Sequence, residues 1–250
     1  MSLQNYKRTL VYLKKKKKIL FLTTSNRWND EMPKSTSLAH EMKKELGNDQ
    51  CTIIDVTKLL IYPCEGNVSQ MGKGGNHCGT KDAALKDKDK NPSGHHRCWA
   101  SLNHKDDELW KVSKALLEAD AVVFFGSIRW GKMNAIYAKL IERLTWLENR
   151  HSTLGESNIL KGIDAGLITV GHNWNGKEAV ALEKNVLQFF GFNCPDELSW
   201  SYQWTQNAKD ESAAGYKRDI QDFEQEFSFI KLIKESVKKA VIYFRDYIKY

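Results

Sequence analysis

The sequence predicts an α/β fold, a three-layer sandwich around a central five-stranded parallel sheet, and two observations predict it. Short apolar runs alternate along the chain with amphipathic segments of helical length. The clearest run, 121–125 (Ala-Val-Val-Phe-Phe), ends in Gly126-Ser127 and leads into a segment with Ile136, Leu140, Ile141 and Leu144 at helical spacing. That is how a buried parallel strand passes its carboxyl end to a loop and then a helix. Five such runs separated by helices are what a doubly wound sheet requires. A chain of 250 residues can bury one substantial core, so one domain with an insertion is expected rather than two.

The elements follow in order. Residues 1–17 read as an N-terminal extension, and 18–24 as the first strand. A polar loop over 25–34 leads to a helix at 35–46, and 52–56 is the second strand. The rhythm then breaks over 61–105, a long insertion rich in Gly, Lys and Asp. It resumes with an amphipathic helix at 106–118, whose Leu109, Val112, Leu116 and Leu117 share one face. The third strand, 121–125, and a long helix from about 135 come next. Residues 165–170 form the fourth strand and 178–190 its helix, closed by Gly191 as a C-cap. A short fifth strand falls within 197–202, which ends the main domain near 205.

From about 208 the chain reads as helical. Tyr216, Ile220, Phe223, Phe227, Ile230, Ile233, Val237, Val241, Phe244 and Ile248 recur at helical spacing. At about 1.5 Å per residue such a helix outruns the sheet, so the extension 206–250 is either broken or buries its stripe in a homodimer or higher homo-oligomer.

Composition narrows the partners. A hydrophobic fraction of 41% and an aromatic fraction of 11% fit a globular protein. No apolar run reaches the roughly 18–20 residues that span a bilayer, so no membrane insertion is expected. The net charge of +7 favours anionic ligands. Lys14 to Lys18 precede a core strand without any nucleic-acid-binding signature and read as a solvated approach to it. Five widely spaced cysteines without a secretory signal read as reduced thiols in a cytoplasmic protein.

In open α/β sheets ligands bind at the carboxyl ends of the strands, which directs attention to three loops. The first carries Ser25 and Arg27, then Lys34, Ser35, Thr36 and Ser37 at the start of a helix. Free N–H groups and the helix dipole at such a start bind phosphate, and Arg27 or Lys34 could supply counter-charge. The dinucleotide and P-loop glycine patterns are absent; a plain N-cap at Ser35 is the other reading of this loop. The second loop runs through Ser127, Ile128, Arg129, Trp130, Gly131, Lys132 and Met133. There Trp130 could stack on a flat ring while Lys132 reaches its polar edge. Ordinary core packing of Trp130 and Met133 is the alternative. The third loop holds Gly171 and His172.

These loops, with Asp106 to Asp120 and Asn134-Ala135 to Lys139 and Arg143, resemble the flavodoxin-like NADPH-dependent FMN reductases, a family that includes the iron–sulfur flavoproteins. The resemblance covers roughly 18–205. It implies a flavodoxin-like fold and FMN held non-covalently. Ser25, Arg27, Ser35, Thr36 and Ser37 would hold the phosphate, Ser127, Ile128, Arg129, Trp130, Gly131, Lys132 and Met133 would line the isoalloxazine, and Gly171 and His172 would close its other side. It further implies NADPH or NADH as reductant and a small-molecule electron acceptor such as a quinone or flavin. The catalytic residues are not named by it.

The compact cysteine motif of the iron–sulfur branch is absent: Cys64, Cys78 and Cys98 are far apart and no C-x-x-C occurs. The insertion is therefore expected to cover the flavin or meet a partner rather than to bind metal, although zinc held by these cysteines and a histidine stays open. Two other functions stay open as well: a non-catalytic electron carrier on the same fold, and a phosphate-ligand or metal-binding scaffold protein.

Overall fold

The computed structural model describes residues 2–28, 31–70, 76–171, 174–203 and 212–228. Five parallel strands make the central sheet: β1 (Ile19–Thr23), β2 (Cys51–Asp55), β3 (Ala121–Gly126), β6 (Asp164–Gly171) and β7 (Trp200–Gln203), in the order β2-β1-β3-β6-β7. Two short strands, β4 (Ile128–Arg129) and β5 (Lys132–Met133), form a separate hairpin after β3. Counting only the strands of the main sheet, its order is 2-1-3-4-5, the flavodoxin-like arrangement. All described residues of β1 and β3 are buried, which is why both read as unbroken apolar runs rather than alternating ones.

The two-residue period of a strand divides the core into two layers. Leu20, Leu22, Val122 and Phe124 face one side and pack with α4 (Leu109–Leu117), α5 (Ala135–Ser152) and α6 (Gly176–Phe190). Ile19, Phe21, Val123 and Phe125 face the other, against α1 (Ser2–Leu13) and α2 (Lys34–Leu46). Gly166, in the middle of β6, sits so close to the chain crossing it that an added Cβ would lie 2.2 Å from the Leu198 carbonyl oxygen.

The N-terminal extension is a structural element. Tyr6, Leu10 and Leu13 recur at i, i+4 and i+7, and all three are buried in the second layer as one face of α1. The Lys run that follows stays largely exposed. Asp120, at the start of β3, accepts the Lys17 and Lys18 backbone N–H groups, both at 2.9 Å.

Part of the C-terminal stripe is likewise satisfied within the chain. Residues 213–228 form a helix, α7. Its Phe223 meets Tyr202 edge-on and its Phe227 meets it at a tilt, with ring centroids 5.1 and 6.1 Å away, and Phe227 also meets Tyr6 edge-on at 5.7 Å. The rest of the stripe, from Ile230, lies outside the described residues, and with it the segment expected to join two subunits.

The insertion is short of regular structure but not of packing. Among its described residues a five-residue helix, α3 (Trp99–Asn103), and short 3-10 turns are the regular elements, yet Ile61, Cys78, Cys98 and Ala100 join the first core layer. Arg143 of α5 holds it in place. Its guanidinium reaches Asp107 at 2.8 and 3.0 Å, the Tyr62 carbonyl at 2.6 Å and Ser101 Oγ at 2.9 Å. All five cysteines are free thiols. Among the described residues no three His, Cys, Asp or Glu side chains are grouped to share a metal ion, and no described helix is long and apolar enough to cross a membrane.

Candidate functional site

A cavity of about 860 Å³ opens at the carboxyl ends of β1, β3 and β6. It lies where successive connections leave the sheet in opposite directions, the position open α/β folds use for ligands. Four segments build it.

The β1 loop contributes Ser25, Asn26, Arg27 and Trp28, and the start of α2 contributes Pro33, Lys34 and Ser35. Pro33 stands at the N-cap with no side-chain hydrogen bond to the helix, so the first-turn N–H groups remain for a ligand or water. Ser35 Oγ donates to Ser25 Oγ at 2.9 Å, which uses a lone pair of Ser25 and leaves its proton to donate. Deeper in that turn Thr36 Oγ1 is buried and has no hydrogen-bond partner among the described residues.

The β3 loop contributes Ser127, Ile128 and Arg129. Asn134 ties this loop to the first one. Its Oδ1 accepts the Tyr137 N–H at 3.1 Å as the cap of α5, and its Nδ2 donates to Thr24 Oγ1 at 3.1 Å. Thr24 Oγ1 in turn donates to the Phe125 carbonyl at 3.0 Å. A Cβ at Gly126 would lie 2.4 Å from Met133 Cε, so a side chain here would displace the end of Met133.

At the hairpin tip Trp130 and Gly131 both have positive φ, +52° and +70°, the pattern of a type I′ turn. Trp130 is 83% exposed, so it is not packed in the core. Its ring meets Trp174 edge-on at 6.2 Å, and Asn175 Nδ2 donates to the Gly131 carbonyl at 2.8 Å. The hairpin tip is thus braced on the start of α6.

Val170 and Gly171 supply the third side, and α7 the fourth, through Ser212, Ala213, Tyr216 and Ile220. Three cations (Arg27, Lys34 and Arg129) line the cavity, with no carboxylate among its described lining residues. Two of them are held by carboxylates just outside: Arg27 Nη1 by Glu31 at 3.3 Å, and Lys34 Nζ by Glu224 of α7 at 2.5 Å.

Of the residues singled out from sequence, Ser25, Arg27, Ser35, Ser127, Ile128, Arg129 and Gly171 come together in this lining. Thr36, Ser37, Trp130, Gly131, Lys132 and Met133 are not among the lining residues, though they flank them in the chain. His172 lies outside the described residues. No described residue of 61–105 lines the cavity; Ile61, Cys78, Cys98 and Ala100 of the insertion pack into the first core layer.

The wall formed by α7 was not expected from sequence. Its sequence signal is the stripe Tyr216, Ile220, Phe223 and Phe227, whose period gives a helix but not the place where its first turns dock.

No protein-family model matches the chain, and no curated protein matches it significantly. Solved structures do. RosB, determined with the bound intermediate OHC-RP (8-demethyl-8-formylriboflavin-5'-phosphate), aligns with a TM-score of 0.53 at 16% identity, over 81% of this chain and 70% of that one. The azoreductase AzrA gives 0.47 at 17% identity over 83% and 99% of the two chains. FerB, a flavoenzyme NAD(P)H:(acceptor) oxidoreductase from Paracoccus denitrificans, gives 0.45 at 15% over 88% and 98%. The likeness to RosB is one of fold, in agreement with the strand order.

Proposed function

We propose that the protein binds FMN in this cavity and is an NAD(P)H-dependent oxidoreductase acting on a small acceptor such as a quinone or a flavin. The observation that carries the reading is a three-cation cavity at the strand carboxyl ends, bounded by an uncapped helix start. A phosphorylated ligand satisfies both features. The RosB structure, with its flavin phosphate, makes flavin the leading candidate among such ligands.

The residues present fit the group. The volume lies within the range of about 300–1,000 Å³ typical of cofactor sites. Ser25, Ser35, Lys34 and the first-turn N–H groups of α2 would take the phosphate. Ile128 and Val170 offer apolar surface for a ring, and Gly171 lines the cavity beside them. When bound, FMN supplies the two-electron chemistry, so the protein needs no acid–base triad.

What the chain does is bind, orient and exclude. The Asn134–Thr24 bond fixes the phosphate loop against the ring loop, so a ligand touching both is held at one angle to the sheet. Arg129 places positive charge beside the ring loop, where it favours a ligand that gains negative charge on reduction. Trp28, almost fully exposed, and Tyr216 also line the cavity, where nicotinamide and acceptor would meet the ring in turn.

An absorption spectrum of the purified protein followed by titration with FMN tests the proposal. Flavin bands or saturable uptake, with NAD(P)H oxidation on loading, are the expected results. Uptake without NAD(P)H oxidation would replace the enzyme by an electron carrier. A colourless protein indifferent to FMN would remove the flavin reading.

A further inference from the structure

The cavity's phosphate end and its C-terminal wall share one residue. Lys34 lines the cavity at the start of α2, and its ammonium is held by Glu224, two turns along α7 from the cavity-lining Tyr216. The helix does not depend on that ion pair for its place. Phe223 and Phe227 pack edge-on against Tyr202 and Tyr6, Glu226 accepts the Leu3 N–H at 3.0 Å, and Tyr202 Oη donates to Glu226 at 2.7 Å. Both members of the Lys34–Glu224 pair are partly exposed, with side chains 29% and 55% accessible, so the pair adds little stability. Its effect falls instead on whatever arrives beside Lys34.

We propose that Glu224 sets the affinity of the site for phosphorylated ligands, by competing with the ligand's anion for Lys34. An arriving phosphate must share the ammonium with a carboxylate already on it and accept the repulsion of that carboxylate. A ligand lacking the phosphate meets neither effect. The α7 wall thereby makes retention of an anionic ligand depend on ionic strength and keeps binding weaker than the bare cation would allow. This inference rests on the flavin-phosphate reading given above.

The test is to titrate the full-length protein and its E224Q, K34A and K34A/E224Q variants with FMN and with riboflavin at low salt, following flavin fluorescence. Relative to wild type, E224Q is expected to bind FMN roughly two- to fivefold more tightly, the scale of one exposed ion pair. Riboflavin affinity should not change, the gain should shrink as salt is raised, and it should vanish in the K34A background. Unchanged FMN affinity in E224Q would overturn the inference alone. So would an equal loss for FMN and riboflavin, which would make the pair a clamp for α7 instead. A wild-type protein that takes up neither flavin would overturn the flavin reading and this inference with it.

Discussion

Asp107 shows how much one side chain can hold. Its oxygens accept from both Arg143 terminal nitrogens, from Ser101 Oγ at 2.7 Å and from the Tyr62 N–H at 3.1 Å, and the Arg143–Asp107 pair is fully buried. Burial pushes its carboxyl up, but the hydrogen bonds from Arg143 and Ser101 outweigh burial and hold it below the usual carboxylate range. Truncating one partner leaves the other charge buried and unpaired, so Asp107→Ala is expected to cost about 3–5 kcal/mol in urea unfolding; a loss under about 1 kcal/mol would show that Arg143 finds other partners. Trp130 is the opposite case. A bulky residue at φ +52° is held in a conformation costing roughly 1–2 kcal/mol, and such strain collects at functional sites. Trp130→Gly should therefore raise unfolding stability by about 1 kcal/mol and weaken FMN binding at once. A stability gain with unchanged FMN affinity would show that the hairpin tip, which is not part of the cavity lining, does not act on the ligand.

At the scale of elements, position in the sheet explains what could and could not be read from sequence. β1 and β3 are buried on both faces, so their sequences are unbroken apolar runs and their limits fall within a residue or two of the expected ones. The site loops were legible for the same reason, since they begin where those runs stop. The turn at Trp130-Gly131 was not, because turn chemistry favours Asn or Gly where this chain has Trp. The α7 wall was not either: Lys34 and Glu224 are 190 residues apart, and the docking of Phe223, Glu226 and Phe227 on Tyr202, Tyr6 and Leu3 brings them together. α1 is legible in principle, since Tyr6, Leu10 and Leu13 show the period, but a twelve-residue helix has too few turns for that period to stand out before a lysine run. Gly166 shows a constraint of the same kind inside a strand. Its missing Cβ is the space through which the Leu198 backbone passes, so Gly166→Ala should cost at least the 1–3 kcal/mol of an overpacked core. It should also loosen β7, measurable as faster amide exchange at 200–203 than at 19–23.

For the whole molecule, acid stability should be governed by the insertion's packing on α5. His96 is 1% exposed, its ring stands 5.1 Å from Trp146, and neither ring nitrogen has a hydrogen-bond partner among the described residues. Burial, aided by the Arg143 charge and opposed by Asp107, lowers its pKa to about 4, against an ordinary value near 6.5. The folded protein therefore keeps His96 neutral while the unfolded chain protonates it. Stability then falls as pH drops from about 6.5 to about 4, by about 3 kcal/mol at most, and this contribution is constant above and below that window. Asp107 acts in a lower one: with its folded pKa depressed, its stabilisation is complete above the unfolded carboxylate pKa near 4 and is lost as pH falls through the folded value. Two acid limbs are expected from one cluster, His96 first and Asp107 second. His96→Leu removes two orphaned nitrogens from the core without opening a large cavity. It should raise the Tm at pH 5 by more than at pH 7.5 and shrink the upper limb to the part left by His95, whose pKa burial also lowers, while leaving the lower one. Parallel pH–Tm curves for the variant and wild type between pH 7 and 4 would show that His96 titrates alike in both states and would locate the acid limb elsewhere.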